Sequence, residues 1–399
     1  MRVNRDGERT AILSDAMLRA IFVTGTLNPG GAERHAVTVL NGLGARGHEC
    51  HLIHVKDGQP NLIESIRPGE AGTVRCLGAT RYLDLRALMR LKTHIARIRP
   101  SVIVAANPYA LMYSWLALRL SGLRVPLVVT YHSTLIGAKE QLQMLLYRLF
   151  FWTADCSVFV CEKQKRRWLL RGVFSRRNEM IYNGVDTGTF RDRSSPPDRA
   201  RLRNALGFSE SDFVIGIAAR LSPEKNHVQL VDALALLRGA GIRARCLMIG
   251  DGGMREAIEA RARDRNVVDG IVITGFQRDV RPYVAVCDVM VLCSLTEAFS
   301  LAAIEAMAMG KPFVHSDVGG AAEMIRPGED GFLFPVGDTG ALVDRLARLT
   351  DPAQRKRMGN HARARVEAMF SEKSMVDRYE QLLADLCANR SPAAAAVFR

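Results

Sequence analysis

Residues 289–315 read VMVLCSLTEAFSLAAIEAMAMGKPFVH, and this stretch carries a pattern that recurs through the chain. The apolar run Val289–Leu292 predicts a short strand, Ala302–Met309 has the spacing of a helix, and Pro312–His315 predicts a second strand. A strand, a helix and a strand in this order are typical of a βαβ unit with parallel strands. Because both runs are almost continuously apolar, we expect these strands to be covered on both faces.

The same alternation extends on both sides of this unit. Five apolar runs precede residue 190, and they are Ala20–Leu27, Cys50–Val55, Val102–Ala106, Pro126–Thr130 and Cys156–Val160. Three more lie between residues 213 and 274, and they are Phe213–Ala218, Cys246–Ile249 and Ile271–Thr274. The sequence therefore predicts an α/β protein with two Rossmann-like halves of similar size.

The length of the chain, 399 residues, exceeds what one hydrophobic core usually supports, so we expect two domains. The polar, proline-containing residues 191–200 predict a linker between a first domain at 18–190 and a second domain at 201–371. A last helix is predicted at 372–387. The end segments 1–17 and 388–399 are predicted to be flexible.

The composition, with 48% hydrophobic and 24% charged residues, excludes a disordered or collagen-like chain. The eight cysteines form no C-x-x-C pair and mostly lie in apolar runs, which predicts buried, reduced thiols in a reducing compartment. The first residues lack the apolar core of a signal peptide, and no uncharged stretch has the pattern of a membrane span. We therefore expect a cytoplasmic protein.

Positive charge is concentrated in the first half of the chain. Residues 1–190 contain 26 basic and 14 acidic residues, a net charge of +12, whereas the remainder has a net charge of +2. Such a field attracts nucleic acid, anionic lipid or a phosphorylated substrate. The apolar stretch 139–152 followed by the basic stretch 163–177 suits an anionic membrane surface or a lipid-linked acceptor. A core helix followed by a solvated basic face explains the same pattern, and RNA binding is a third option.

Two features of the first half are candidate ligand contacts. The pair Gly30-Gly31 opens a helical segment, where the backbone can approach a phosphate closely and the helix start offers free N–H groups. A plain tight turn is the alternative interpretation. His132 follows the predicted strand Pro126–Thr130, at the edge where ligands bind to parallel sheets, although a structural histidine is equally compatible with this position.

Cations follow the first predicted strand of the second half. Arg220 lies just beyond the carboxyl end of Phe213–Ala218, and Lys225 lies five residues later. Two cations at this edge of a parallel sheet suit a diphosphate, whereas two solvated surface cations are the simpler alternative.

The segment quoted at the outset contains two glutamates eight residues apart. Glu297 precedes the helix, and Glu305 lies within it among apolar residues, where a carboxylate is costly unless it has a partner. The N–H groups at the helix start, those of Phe299, Ser300 and Leu301, can meet an anion between the two carboxylates. A salt-bridged helix residue is the alternative interpretation of Glu305.

In combination, these segments resemble the family-four retaining glycosyltransferases of the GT-B fold, also called group 1 glycosyltransferases. The segments that carry the resemblance are Gly30–Arg34, Tyr182–Asp186, Arg220–Lys225, Gly250–Gly252, Glu297–Glu305, Gly310–Pro312 and Gly319–Glu323. The likeness runs from about residue 20 to about residue 387 and is closer in the second half. It implies two Rossmann-like domains that face each other across a deep cleft, with the last helix crossing back to the first domain.

The resemblance also implies roles for individual residues. Arg220 and Lys225 would hold the donor diphosphate and offset the charge of the leaving group. Glu297 would contact the donor sugar, and Glu305 would bind the ribose hydroxyls. The remaining donor contacts implied by the resemblance are Gly30, Gly31, Gly275, Phe276, Phe299, Ser300 and Leu301, and His132 matches the cleft histidine near the transferred sugar.

The chain departs from the common pattern at one motif, because the usual Glu-Gly-Phe-Gly reads Glu297-Ala298-Phe299-Ser300. This change bears on the choice of sugar. The sequence contains no Asp-x-Asp, which agrees with transfer that needs no metal and in which Arg and Lys replace Mg²⁺ at the leaving group.

The predicted function is transfer of a sugar from a nucleoside diphosphate sugar, UDP in preference to GDP, to a lipid-linked or glycan acceptor in cell-envelope polysaccharide or lipopolysaccharide biosynthesis. Retention of configuration and independence from metals and cofactors are implied by the resemblance. The expected location is cytoplasmic, with peripheral attachment to the inner face of the cytoplasmic membrane through the basic half, and no nucleic-acid partner is expected. The alternatives are an enzyme like the UDP-N-acetylglucosamine 2-epimerases and a non-enzymatic basic protein that binds membrane or nucleic acid.

Overall fold

The computed structural model describes residues 17–28, 30–58, 62–67, 69, 72–132 and 138–388, without the side chains of 138–141. Apart from Met17 and Ala388, the predicted flexible ends lie outside the described residues. The chain divides into two compact units. The first unit contains the residues up to Asn183 together with the last helix, and the second unit is Gly184–Ser371.

The first unit is built on a parallel sheet of seven strands in the order β3-β2-β1-β4-β5-β6-β7. The strands are β1 Arg19–Thr24, β2 Glu49–His54, β3 Val74–Cys76, β4 Val102–Ala106, β5 Leu127–Tyr131, β6 Cys156–Phe159 and β7 Arg177–Met180. The helices of this unit are Gly31–Gly44, Leu85–Ile98, Asn107–Ser121, Ala138–Thr153, Glu162–Leu170 and Glu372–Ala388.

The second unit contains a parallel sheet of six strands in the order β10-β9-β8-β11-β12-β13. The strands are β8 Phe213–Ala218, β9 Ala244–Ile249, β10 Ile271–Ile273, β11 Val289–Leu292, β12 Phe313–Ser316 and β13 Gly331–Phe334. The helices are Pro196–Ala205, His227–Gly239, Arg255–Asp264, Arg281–Val286, Leu301–Ala308, Ala321–Met324, Thr339–Arg348 and Pro352–Met369. The expected α/β fold with two Rossmann-like halves is confirmed.

Strand β1 shows why these runs are apolar throughout. Ile21 and Val23 belong to a core on one face of the sheet, and Ala20 and Phe22 belong to a second core on the other face. Successive side chains of a strand point to opposite faces, so a strand covered by helices on both sides needs an apolar residue at every position.

The last helix, Glu372–Ala388, completes the second of these cores. Met375, Val376 and Tyr379 are buried in it. The helix approaches Gly31–Gly44 closely, since a Cβ atom added at Gly42 would lie 2.5 Å from Val376 Cγ2. The first unit is therefore built from two separate parts of the chain.

The predicted linker 191–200 is not a simple linker. The first unit ends at Asn183, so residues 184–190, which were predicted to belong to the first domain, lie in the second unit. Pro196–Ala205 forms a helix whose cap is Ser195, with the Oγ atom accepting a hydrogen bond from the Asp198 amide at 3.2 Å. Prolines suit the first turn of a helix, because their missing N–H has no partner there, so the same residues that suggested a linker begin a helix.

Three strands escaped prediction, and all of them lie at the edges of the sheets. They are β3, β7 and β13. Strand β7 reads Arg-Asn-Glu-Met and is half-buried along its whole length. An edge strand such as β7 has only one neighbouring strand and less cover, so it needs fewer apolar residues and leaves a weaker pattern in the sequence. This reason does not apply to β13, which reads Gly-Phe-Leu-Phe and is largely buried.

The eight cysteines are free, and six of them are buried. Burial raises the pKa of Cys50 and of Cys156 to about 12, with neighbouring acids adding to the effect. Such thiols are protonated and unreactive at neutral pH. Within the part of the chain that the structure describes, no helix combines the length and the apolar character needed to cross a membrane.

Candidate active site

The candidate site of the second unit lies where its strand order reverses. Strands β8 and β11 are neighbours at the centre of the sheet, and the chain continues outward from them in opposite directions. In open α/β sheets, ligands bind beyond the carboxyl ends of the strands at such a point. The loops that follow β8 and β11 carry the predicted cations and the predicted acids, and they are joined by a hydrogen bond from the Leu295 amide to the Glu224 carbonyl at 2.8 Å.

Arg220 extends from the loop after β8 into solvent, with 74% of its side chain exposed. Its Nη2 atom lies 3.0 Å from Glu224 Oε1, and the hydroxyl of Ser222 donates to the same oxygen at 2.6 Å. Burial alone would raise the pKa of Glu224, but the hydrogen bonds from Ser222 and Arg220 lower it below its ordinary value. The guanidinium is thus anchored on one side and leaves most of its donors accessible to an anion.

Lys225 ends a short 3₁₀ helix, Pro223–Lys225, and its ammonium contacts Glu297 Oε1. Both side chains are largely buried, and Ser294 Oγ donates to the same carboxylate oxygen at 3.3 Å. The resemblance implies that Lys225 holds the diphosphate and that Glu297 contacts the sugar, and the two residues belong to separate motifs. The structure brings these two groups, 72 residues apart in the chain, into direct contact.

The helix Leu301–Ala308 begins next to this ion pair. Ser300 is its cap, and the Oγ atom accepts a hydrogen bond from the Ala303 amide at 3.3 Å. Phe299 is buried with its ring against Phe370, at a centroid distance of 5.3 Å. The Phe299 side chain therefore belongs to the core, and a contact from this residue to a ligand would have to come from its backbone.

Glu305 lies in the second turn of the same helix and is only 6% exposed. Its neighbours Ala303, Ile304 and Ala306 are buried. A carboxylate in such surroundings is retained only where it is hydrogen-bonded. The ribose role of Glu305 therefore stays a prediction from the resemblance.

The loop after β12 packs against the backbone of Glu297. A Cβ atom added at Gly319 would lie 2.1 Å from the Glu297 carbonyl oxygen and 2.6 Å from that of Ala298. The Gly320 amide donates to the Ala298 carbonyl at 2.8 Å. Gly319 belongs to one of the motifs that carry the resemblance, and its missing side chain permits these two loops to touch.

His315, at the end of β12, was missed by sequence analysis. It is fully buried, and its Nδ1 donates to the Ser316 carbonyl at 2.7 Å. Burial lowers the pKa of His315, while the charge of Glu297 acts in the opposite direction. A histidine within a short apolar strand cannot be distinguished from other buried positions by hydrophobic periodicity, so nothing in the sequence indicated that His315 lies near Glu297.

The backbone of the loop after β9 lies in direct contact with the backbone of the loop that carries Arg220. The Leu221 amide donates to the Asp251 carbonyl at 3.0 Å. A Cβ atom at Gly250 would lie 2.1 Å from the Ala219 carbonyl oxygen, so this contact requires a glycine. Gly275, after β10, pairs with Gly250, and Phe276 next to it is 64% exposed. These two predicted base contacts lie on the same sheet edge, one strand further out.

In the first unit, Gly30 caps the helix Gly31–Gly44, as the motif predicted. A Cβ atom at Gly30 would lie 2.4 Å from Glu33 Oε2, whereas one at Gly31 would meet no atom within 4 Å among the residues that the structure describes. Burial raises the pKa of Glu33, although a backbone hydrogen bond opposes the shift. The approach of a phosphate is thus open at Gly31, and the Glu33 carboxyl group lies against Gly30.

His132 follows β5, at the carboxyl edge of the first sheet. Its backbone amide donates to Asn107 Oδ1 at 3.3 Å. Burial lowers the pKa of His132 well below its ordinary value, and the nearby His35 adds to this effect. The imidazole is therefore neutral at physiological pH.

Two family profiles match the chain, each over one of its halves. Residues 29–189 match the family described as Glycosyltransferase Family 4, and residues 198–365 match the family described as Glycosyl transferases group 1. The chain belongs to the group 1 glycosyltransferases. The resemblance inferred from the motifs is thereby confirmed.

This glycosyltransferase is similar to curated proteins along most of its length. It is 27% identical to N-acetyl-alpha-D-glucosaminyl L-malate synthase of Bacillus anthracis, over 86% of this chain and 91% of that protein. It is 24% identical to the UDP-Gal:alpha-D-GlcNAc-diphosphoundecaprenol alpha-1,3-galactosyltransferase of Escherichia coli, over 82% and 86%.

A solved structure agrees with the fold of the glycosyltransferase. Anabaena Alr3699/HepE, crystallised with UDP and glucose, superposes with a TM-score of 0.81 over 92% of this chain and all of that one, at 21% identity. The predicted GT-B fold class is confirmed.

Proposed function

We propose that this glycosyltransferase moves a sugar from a nucleoside diphosphate sugar to a lipid-linked or glycan acceptor of the cell envelope, with retention of configuration and without a metal ion. The observation that carries the proposal is the cluster at the centre of the second sheet. There, Arg220, Lys225, Glu297 and the start of the helix Leu301–Ala308 lie on two loops that are bonded to each other.

The chemistry of transfer fits this cluster. Cleavage of the bond between the sugar and the diphosphate leaves negative charge on the departing nucleotide, and cations placed there lower the barrier. The exposed guanidinium of Arg220 and the ammonium of Lys225 would take this role. Glu297 would hold the sugar, Glu305 the ribose hydroxyls, and the N–H groups at Ser300 and Leu301 the phosphate.

The other residues complete the proposed donor site. Gly275 and Phe276 would hold the base, with the exposed ring of Phe276 available for stacking. As the resemblance implies, Gly30 and Gly31 would contact the diphosphate, and neutral His132 would lie near the transferred sugar. UDP is the preferred donor nucleotide, since the Escherichia coli relative is named for a UDP-sugar and the Anabaena structure holds UDP.

Family membership favours transfer over the epimerase and binding-protein alternatives. The diphosphoundecaprenol named for the Escherichia coli relative supports a lipid-linked acceptor. The sugar itself is left to experiment, because Ala298 and Ser300 replace the two glycines of the common motif.

The donor proposal is tested with a panel of UDP-, GDP- and ADP-sugars, assayed for hydrolysis and for transfer in the presence and absence of EDTA. Lys225→Met should lower kcat about 100-fold or more, as removal of a group that stabilises transition-state charge does. Lys356→Met, which removes an exposed lysine from the helix Pro352–Met369, is the matched control. Equal rates in the two variants, or activity that EDTA abolishes, would contradict the proposed mechanism, and NMR of the anomeric proton of the product decides retention.

The proposed contact with an anionic membrane rests on the helix Ala138–Thr153. Leu142, Leu145, Leu146 and Leu149 are all more than half exposed, and their spacing of three and four residues puts them on one face. The opposite face, with Tyr147 and Phe151 among others, is buried in the core of the first unit. An exposed apolar stripe of this length marks an interaction surface.

Positive charge accompanies the stripe, which favours a lipid surface over a protein partner. The next helix along the chain, Glu162–Leu170, follows after strand β6 and carries Lys163, Lys165, Arg166 and Arg167. Leu170, at its end, is 89% exposed. Apolar side chains beside basic ones are typical of helices that lie on anionic membranes.

Vesicle sedimentation tests this surface. The protein should bind vesicles of phosphatidylglycerol and phosphatidylcholine in preference to pure phosphatidylcholine, and Leu145→Asp with Leu149→Asp should abolish the difference. Leu120→Asp, at a similarly exposed leucine of another helix in the same unit, is the control. Equal binding by the stripe variant and the control would contradict the membrane assignment.

A further inference from the structure

A second histidine lies beside His132. His35, on the helix Gly31–Gly44, is only 2% exposed, and both of its ring nitrogens are hydrogen-bonded. Its Nδ1 lies 2.9 Å from Asn183 Oδ1, and its Nε2 lies 2.8 Å from the hydroxyl of Tyr379. Each partner comes from a different part of the chain, since Asn183 ends the first segment of the unit and Tyr379 lies on the last helix.

These two contacts select one form of the His35 ring. The Oδ1 atom of Asn183 only accepts hydrogen bonds, so Nδ1 of His35 carries the proton and donates it. The Nε2 atom is then the acceptor for the hydroxyl group of Tyr379. Burial lowers the pKa of His35 to about 4, although the hydrogen bond to Asn183 opposes the shift. His35 is therefore a neutral imidazole, and the hydrogen bonds at its two ring nitrogens keep it in a single tautomer.

The ring of His35 packs edge-on against the ring of His132, with centroids 4.6 Å apart and an interplanar angle of 61°. The backbone of His132 is held separately by Asn107. The Nε2 atom of His132 is buried and has no hydrogen-bond partner among the residues that the structure describes. Buried polar atoms without a hydrogen-bond partner are uncommon in proteins, so this nitrogen calls for a functional explanation.

We propose that His35 is a positioning residue for His132. Asn107 places the backbone of His132, and the edge of His35 restricts the rotation of its ring, so that the Nε2 atom keeps one direction. Asn183 and Tyr379 act through His35 by holding its ring. This inference rests on the proposed function, which places His132 near the transferred sugar.

The experiment compares Tyr379→Phe with a control that perturbs the same helix, Glu372–Ala388, through a different contact. The substitution removes one hydroxyl and leaves a buried ring of nearly the same shape. The control, His48→Gln, disrupts another buried histidine that ties this helix to the unit, through a contact of 2.7 Å between His48 Nε2 and Glu380. His48 precedes β2 and therefore lies at the amino edge of the sheet, whereas His132 lies at the carboxyl edge.

Two readouts are needed, kinetics and NMR of ¹⁵N-labelled histidine. In Tyr379→Phe we expect kcat for transfer to fall about threefold to tenfold, the range for one hydrogen bond, with donor KM changed less than twofold. His35→Asn, which keeps an N–H for Asn183 but has no ring, should lower kcat further, to about 1% of the original value. The His132 ring signals should shift in both variants, while His48→Gln should lower Tm and change neither kcat nor those signals.

The outcomes separate this inference from the proposed function. Unchanged His132 signals in Tyr379→Phe and His35→Asn would overturn the positioning role, whatever the activity. Equal loss of kcat in Tyr379→Phe and His48→Gln would also overturn it, because general weakening of the helix would then explain both. If the unmodified protein transfers no sugar from any donor, the proposed function fails, and the NMR comparison still decides whether His35 orients His132.

Discussion

Gly319→Ala tests whether the contact between two loops of the second unit sets the position of Glu297. Gly319 has φ of +51°, which only glycine adopts without strain. A Cβ atom there would lie 2.1 Å from the Glu297 carbonyl oxygen and 2.6 Å from that of Ala298. Both obstacles are backbone atoms, and the Ala298 oxygen already accepts a hydrogen bond from the Gly320 amide. The clash therefore cannot be relieved by a change of rotamer.

The size of the effect follows from these distances. A Cβ atom essentially never lies closer than 3.0 Å to a backbone atom, and its ordinary contacts begin at 3.4 Å, so one of the loops has to move by about 1 Å. The left-handed backbone conformation costs an alanine about 1–2 kcal/mol, and overpacking adds about 1–3 kcal/mol. A shift of about 1 Å in a group that holds the substrate can lower the rate about 100-fold. We therefore expect both a loss of stability and a loss of kcat/KM of that order.

Gly337→Ala is a control that separates the cost of backbone strain from the effect of moving the loop that carries Glu297. Gly337 has φ of +78°, but a Cβ atom there would meet nothing within 4 Å. This variant should lose stability by the conformational cost alone and keep its activity. The assays are denaturant unfolding and steady-state transfer with the best donor from the sugar panel. A kcat/KM of Gly319→Ala within twofold of that of Gly337→Ala would refute the reasoning.

Three further predictions concern other parts of the second unit. Glu305→Gln should weaken the binding of the donor nucleotide about 10- to 100-fold, as measured by calorimetric titration, because hydrogen bonds to a charged group are worth about 1.5–3 kcal/mol; an unchanged Kd would contradict the ribose assignment. Ser300→Ala should cost about 1 kcal/mol of unfolding free energy, because the helix Leu301–Ala308 loses its cap, and an unchanged denaturation midpoint would show that the cap contributes nothing. Burial lowers the pKa of His227 to about 4, so between pH 6.5 and 4 the unfolded chain binds a proton that the folded protein does not, and stability falls as the pH decreases. His227→Leu should therefore reduce the stability difference between pH 7 and pH 5 by about 2 kcal/mol in urea unfolding, whereas an identical difference in both proteins would place the charge change elsewhere.

The fold was predictable because its strongest signals are local. Central strands such as β4, β8 and β11 are buried on both faces, so every position is apolar and their bounds agree with the apolar runs. The edge strand β7 is polar and half-buried, and no local pattern distinguishes it from a loop. The predicted linker 191–200 differs from the structure because proline has two local meanings. Proline interrupts a helix at its interior positions but suits its first turn, and here the two prolines begin the helix Pro196–Ala205.

The sequence by itself determined which chemical groups the protein carries and which strand each of them follows. Arg220 follows β8, Glu297 follows β11, and His132 follows β5, so their place on a sheet edge comes from local order alone. Only the tertiary structure decided which of them meet. Lys225 contacts Glu297 because β8 and β11 are neighbours, although 70 residues separate these two strands in the chain. His35 meets Tyr379 because the last helix returns to the first unit. Hydrophobic periodicity reports whether a residue is buried, but pairing between distant segments depends on how whole elements pack, and that information is not contained in any single stretch of the chain.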